Sequence, residues 1–230
     1  MNPIAANIKD IQERIANACR TSGRPLDKVR LIAVSKVKPA ALVEEAYAAG
    51  QRLFGENYVQ EFRDKQEQVT APVEWHFIGA LQSNKVKYLK DSVHMIHSVD
   101  RLSLAQEINR QWGKIPAVVD ILLQVNIGDE ESKAGCTPEQ LEELARQVAQ
   151  LPHVKIRGLM CLPPYCDDPE EVRPYFKQLR QLAEKIAGLD IPGVTMEELS
   201  MGMSGDFEVA VEEGATLVRV GTAIFGERRK

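Results

Sequence analysis

The sequence predicts a closed (β/α)8 barrel of the TIM type, preceded by an extra amphipathic helix. Three observations carry that prediction. About eight short apolar runs alternate with helical patterns along the 230 residues, and such alternation implies a parallel sheet with helices outside it. The repeats are of roughly even size with no composition break or linker, so a single domain is expected to span residues 1–230. No glycine-rich dinucleotide fingerprint follows the first run, which disfavours the alternative, a doubly wound open sheet.

Each element has its own signal. Ile4, Ile8, Ile11 and Ile15 recur at helical spacing. Gly23 and Pro25 then make a loop before the first strand, Leu31-Ile32-Ala33-Val34-Ser35-Lys36, whose apolar run suits burial on both faces. Pro39 fits the first turn of the next helix and Gly50 its C-terminal stop. Arg52–Asn57 reads as the second strand, with a helix through Tyr58 to Gln68, and Trp75–Gly79 as the third, with a helix from about Ser83 to Lys90. His94–Val99 is the fourth, with Asp100 as N-cap of the following helix. Asp120–Asn126 is the fifth. Thr137-Pro138-Glu139-Gln140 combines a capping box with proline at the first helical position, ahead of the apolar stripe Leu141, Leu144, Ala145 and Val148. Ile156–Met160 is the sixth, and a proline-rich loop from Leu162 to Pro169 separates it from a helix ending near Gly188. Glu197–Met201 is the seventh, followed by a helix capped by Asp206 and stopped by Gly214, and Leu217–Val220 is the last.

Composition narrows the function. With 44% hydrophobic and 27% charged residues the chain is ordinary globular material, and a net charge of −4 favours neither nucleic acid nor an anionic membrane. The basic runs Lys85-Val86-Lys87 and Arg228-Arg229-Lys230 read as solvated surface. Cys19, Cys136, Cys161 and Cys166 fit neither a zinc spacing nor a disulfide framework, so reduced thiols in a cytoplasmic protein are expected. Neither a signal peptide nor a membrane-spanning apolar run is seen.

Lys36 closes the first buried strand, where α/β barrels keep their chemistry. Desolvation there lowers an amine's pKa and suits it to condense with an aldehyde; the alternative is a lysine that leaves the strand into solvent. The loops after the last two strands, Ser200–Asp206 and Gly221–Gly226, are rich in glycine and hydroxyl residues. Ser204, Gly221 and Thr222 are therefore phosphate-site candidates, against two ordinary turns. Arg219 lies inside an apolar strand and needs a ligand or an ion-pair partner, with Glu197 or Glu198 as candidates. Asn57 either meets a ligand or caps its own helix, and His76 reads as a core histidine or a group of the active face. His94 and His97, three apart on one strand, fall on opposite faces, so no metal site is expected.

Together these segments resemble one family. They are Ala33–Lys36, Phe54–Tyr58, His76-Phe77-Ile78-Gly79-Ala80-Leu81-Gln82-Ser83-Asn84-Lys85, Ser132–Gly135, Arg157–Met160, Ser200–Ser204 and Arg219–Gly226. The likeness covers nearly the whole chain and is to the pyridoxal phosphate homeostasis proteins, also called YggS-type or proline synthase co-transcribed proteins. It implies a barrel of the alanine-racemase type, fold type III, with pyridoxal 5′-phosphate as an internal aldimine on Lys36. It further implies phosphate contacts from Ser204, Gly221 and Thr222, Arg219 facing the pyridine nitrogen, and Asn57 and Ser200 lining the pocket. The implied role is intracellular vitamin B6 homeostasis without an assigned reaction. The ligand is the cofactor itself, with cofactor-dependent apo-enzymes as candidate recipients and a monomer as the expected state. Racemases and lyases of the related fold carry a second, β-rich domain, and the chain, ending soon after its last strand, is expected to lack one. Two competing readings are a racemase or lyase using the same aldimine, and a cofactor-free Schiff-base aldolase acting on a sugar phosphate.

Overall fold

A computed structural model describes residues 3–128 and 134–227 of the chain. Lys133 and the basic run at 228–230 lie outside the described residues, as does Ser132 of the family-like motifs.

Eight parallel strands close into a barrel in sequence order, with β1 paired to both β2 and β8. The strands are β1 (Arg30–Val34), β2 (Leu53–Glu56), β3 (Glu74–Phe77), β4 (Met95–Val99), β5 (Val119–Gln124), β6 (Val154–Met160), β7 (Val194–Ser200) and β8 (Leu217–Val220). The helices are α1 (Pro3–Ser22), α2 (Ala40–Ala48), α3 (Val59–Gln68), α4 (Leu102–Trp112), α5 (Leu141–Val148), α6 (Arg173–Ala187), α7 (Phe207–Glu212) and α8 (Thr222–Phe225). The predicted extra helix is α1; it buries Ile4, Ile8, Ile11 and Ile15 against α2, α7 and α8.

Strand alternation divides the core into two. Leu31 and Ala33 join the large outer core beneath the helices, as do Trp75, Phe77, Val218 and Val220. Ile32, Met95, Leu122, Met160 and Leu217 form a small separate cluster inside the barrel. The interior is thus packed with side chains, and its two mouths differ in what they present.

Several local readings need correction. β1 ends at Val34, so Lys36 stands two residues beyond the strand in a turn. Pro39 is the N-cap of α2 and not its first helical residue. Arg101, not Asp100, occupies the N-cap of α4, and Asp100 pairs with Arg101. The segment Ser83–Tyr88 is a 3-10 helix, not an α-helix. Its buried side chain, Val86, is three residues before the buried C-cap Leu89, which matches the 3-10 period. Asp206 is the N-cap of α7, but its carboxylate accepts from Met203 N–H behind it and not from the helix. The reciprocal bonds of the capping box form, but in the turn ahead of α5, whose N-cap is Gln140, so Pro138 is not at the first helical position. Thr137 N–H donates to Gln140 Oε1 at 3.1 Å, and Gln140 N–H to Thr137 Oγ1 at 3.3 Å.

Candidate functional site at the C-terminal mouth of the barrel

The loops after β1, β2, β6, β7 and β8 enclose a cavity of about 530 Å³, a size typical of small-ligand sites. Six of the seven candidate residues lie on its wall: Lys36, Asn57, Ser204, Arg219, Gly221 and Thr222. Ser200 does not; it is fully buried one layer below, where its hydroxyl accepts from Arg219 Nη1 at 2.5 Å.

The turn that carries Lys36 is strained. Lys38 N–H donates to Ser35 carbonyl at 3.1 Å, making a β-turn with Lys36 and Val37 at its centre. Val37 has φ of 60°, in the left-handed region, where glycine is preferred and a β-branched residue is an outlier. Glu61 Oε2 accepts Val37 N–H at 2.7 Å. Behind the turn, Lys65 Nζ donates to Glu56 Oε1 at 2.6 Å and to Ser35 carbonyl at 2.5 Å, and Ser35 hydroxyl donates to the same Glu56 oxygen at 2.5 Å. Lys65 and Glu56 are both buried. Burial pushes the Glu56 carboxyl up, and the Lys65 ammonium and Ser35 hydroxyl offset only part of that rise. This network pins the chain on both sides of Lys36, which is how a strained conformation persists at a site.

Asn57 leaves β2 beside Gly79, which leaves β3. A Cβ on Gly79 would lie 2.2 Å from Asn57 carbonyl, so only glycine permits that approach. Asn57 Oδ1 is buried and has no hydrogen-bond partner within the described residues. On the opposite wall, Gly221 N–H and Thr222 hydroxyl both point at Ser204 Oγ, at 3.3 and 3.2 Å. The two loops thus bring a backbone donor and two hydroxyls to one point, suited to an anion.

Arg219 decides between the two readings left open for it. Glu198 is taken up by Arg30 and Glu197 by Arg157. Arg219 is buried and donates instead to Ser200 hydroxyl and, at 2.9 Å, to Cys161 carbonyl. Among the described residues no carboxylate forms an ion pair with it. Burial lowers its pKa while Asp206, also on the cavity wall, supports its charge. A buried cation with neutral partners on a cavity wall has donors suited to an acceptor placed there.

The chain of contacts continues inward. His97 Nδ1 meets Ser200 Oγ at 2.8 Å, and His97 Nε2 meets His76 Nδ1 at 2.8 Å. His76 is thus both the core histidine and a relative of the site. Burial holds both rings neutral, with His76 pushed down to about 3. His97 shares the inward face of β4 with Met95, a two-residue spacing that could have marked it in the sequence. Also missed were the loop residues Leu162, Tyr165, Cys166 and Met203 on the cavity wall. They sit in or next to loops without periodicity, which carry no such signal.

Comparison with known proteins agrees with this geometry. The family model for the alanine racemase N-terminal domain matches residues 4–229. The pyridoxal phosphate homeostasis protein of Aquifex aeolicus is 49% identical over 220 residues, covering 95% of this chain and 96% of that protein. PipY of Synechococcus elongatus PCC7942, solved with PLP bound, is 43% identical with a TM-score of 0.82, over 94% of this chain and 100% of that one. A protein of Bifidobacterium adolescentis superposes with a TM-score of 0.92 at 36% identity, over 97% of this chain and 94% of that one.

Proposed function

The chain belongs to the pyridoxal phosphate homeostasis family, and we propose that it holds pyridoxal 5′-phosphate in the C-terminal mouth, attached to Lys36, without turning over amino acids. The observation that carries this reading is the convergence of Lys36, Arg219 and the Ser204–Gly221–Thr222 donors on one cavity. The cavity has room for the group, the hydroxyl and backbone donors suit a phosphate dianion, and the orphaned Asn57 Oδ1 offers an acceptor to a ligand hydroxyl.

When bound, the cofactor supplies an aldehyde that a lysine amine can hold covalently, and a ring that can accept electrons. The Ser35–Lys38 turn presents the Lys36 amine to the cavity. Ser204, Gly221 and Thr222 orient the phosphate end. Arg219 can only donate, so at the ring nitrogen it favours the unprotonated form, which makes the ring a poor electron sink. That supports storage over racemase or lyase chemistry, and yellow absorption by the bound cofactor would separate it from a cofactor-free aldolase.

We read residues 1–230 as one cofactor-binding domain that works as a monomer. Tyr165, Leu162 and Met203 are exposed around the mouth and give a recipient apo-enzyme an apolar rim to seat against. No helix among the described residues is long and apolar enough to cross a membrane. None of the four cysteines is in a disulfide, which suits work in the reducing cytoplasm.

Borohydride reduction followed by peptide mass spectrometry tests the attachment. The expected adduct is on Lys36, and Lys36→Ala should lose both the adduct and the yellow absorption. A full-strength adduct on another lysine, such as Lys133, refutes it. Turnover of alanine, serine, threonine and lysine should fall far below the roughly 1–1000 per second of ordinary enzymes. Robust turnover of any of them, abolished by Lys36→Ala, would establish the racemase or lyase reading instead.

A further inference from the structure

The opposite mouth of the barrel carries a cluster that the cofactor site does not use. Glu74 opens β3, His76 follows two residues later on the same face, and His94 immediately precedes β4. One ligand atom from each lies within 4.8 Å of the others, and His94 Nε2 is 4.0 Å from Glu74 Oε2. The His76 and His94 ring centroids are 5.5 Å apart. His94 was expected to sit on a strand, on the face opposite His97; it lies just outside the strand, beside His76.

A second observation concerns His76 alone. Its ring is fully buried, its Nδ1 is engaged by His97, and its Nε2 has no hydrogen-bond partner among the described residues. Register gives the direction of that orphaned nitrogen. His76 pairs with Met95, so His97 lies toward the C-terminal mouth, while Glu74 and His94 lie toward the N-terminal one. With Nδ1 turned to His97, Nε2 is turned to Glu74 and His94.

We propose that Glu74, His76 and His94 form a site for a divalent transition metal of the zinc class, and that filling it reverses the hydrogen-bond direction of the chain leading to Arg219. Two imidazoles and one carboxylate are a ligand set that zinc accepts, and water supplies the remaining position. Zinc ligands at about 2.0–2.1 Å in tetrahedral array stand about 3.3 Å apart. The cluster therefore needs a modest contraction. Glu74 and His94 are exposed and can supply it by rotamer change, with His76 as the fixed anchor. The other hydrogen bond of His76 orients the ring, as is usual for ligating histidines.

The reversal follows from donor counting. Arg219 only donates, so Ser200 Oγ accepts from it. Without metal, the direction that gives the Ser200 hydroxyl proton an acceptor runs from Ser200 O–H to His97 Nδ1, and from His97 Nε2–H to His76 Nδ1. That leaves His76 Nε2–H without an acceptor. A metal needs the Nε2 lone pair, so His76 must carry its proton on Nδ1 and donate to His97 Nε2. His97 then carries its proton on Nδ1 and donates to Ser200 Oγ. Both rings stay neutral, and the Ser200 hydroxyl proton turns away from His97.

The test uses the full chain, stripped with a chelator and titrated with zinc chloride by calorimetry. Wild type should bind one equivalent. Glu74→Gln and His94→Ala should each weaken it at least tenfold, and the double variant should lose it while keeping the wild-type melting temperature. Imidazole nitrogen NMR of wild type should show His97 Nδ1 changing from acceptor to N–H as zinc saturates. Equal zinc affinity in the double variant overturns the site. An unchanged His97 tautomer at saturation overturns the reversal. Both readouts are independent of whether pyridoxal phosphate is the ligand of the other mouth.

Discussion

Val37→Gly should make the protein more stable. Val37 sits at φ of 60° with half of its side chain exposed, so little packing is lost on its removal. A left-handed conformation costs a non-glycine residue about 1–2 kcal/mol, and glycine's extra freedom in the unfolded chain returns about 0.5–1 kcal/mol of that. The net gain is about 0.5–1 kcal/mol, or about 1–4 °C in melting temperature for a chain of this size. Val37→Ala is the control: it removes the same side chain but keeps the strain. Calorimetric melting should therefore rank glycine above alanine. The turn keeps its hydrogen bonds to Ser35 carbonyl and Glu61 in both variants, so the ordering is charged to folding and pyridoxal phosphate affinity should stay within about twofold of wild type. A glycine variant that melts at or below the alanine variant would refute the claim that Val37 is held in a strained conformation.

Other outcomes follow from the same geometry. Lys65→Met should cost about 3–5 kcal/mol in urea denaturation by stranding the buried Glu56, and adding Glu56→Gln should restore much of it; a loss under 1 kcal/mol would mean the pair is not buried as described. At pH 8 the native protein should show one fast thiol toward a disulfide reagent, Cys166. Cys19 is buried, and burial pushes the Cys136 and Cys161 thiols up to about 12, so at pH 8 they hold their protons. Two or more fast thiols would contradict this, and pyridoxal phosphate should protect Cys166. Ser204→Ala with Thr222→Ala should weaken cofactor retention on the order of tenfold or more, since charge-assisted hydrogen bonds contribute about 1.5–3 kcal/mol each; unchanged affinity in equilibrium dialysis would remove these residues from the site.

Much of this was legible in the residues alone because it depends on near neighbours. The apolar runs and the helical stripes such as Ile4, Ile8, Ile11 and Ile15 record period 2 and period 3.6 directly. The order of eight such units predicts a barrel, and in a barrel the loops after the last two strands meet the end of the first. That is why Lys36 and the Ser204–Thr222 cluster could be placed at one mouth without coordinates. Errors at this level were of one or two residues, as at Pro39 and Asp100, where capping depends on backbone angles that composition does not specify.

Tertiary structure alone decided what lies between the mouths. Ser200 and His97 are 103 positions apart, and their contact exists because strand register sets their heights inside a closed barrel. A shift of one residue in β4 would turn His97 outward, and no local pattern reports that register. The same holds for Arg219, whose two candidate carboxylates pair with Arg30 and Arg157, leaving it Ser200 and a backbone carbonyl. It holds again for Lys65, which the sequence presents as an ordinary helical lysine and the fold buries against Glu56. Periodicity assigns a residue to a face; only the closed sheet determines which groups on that face are near enough to share a proton.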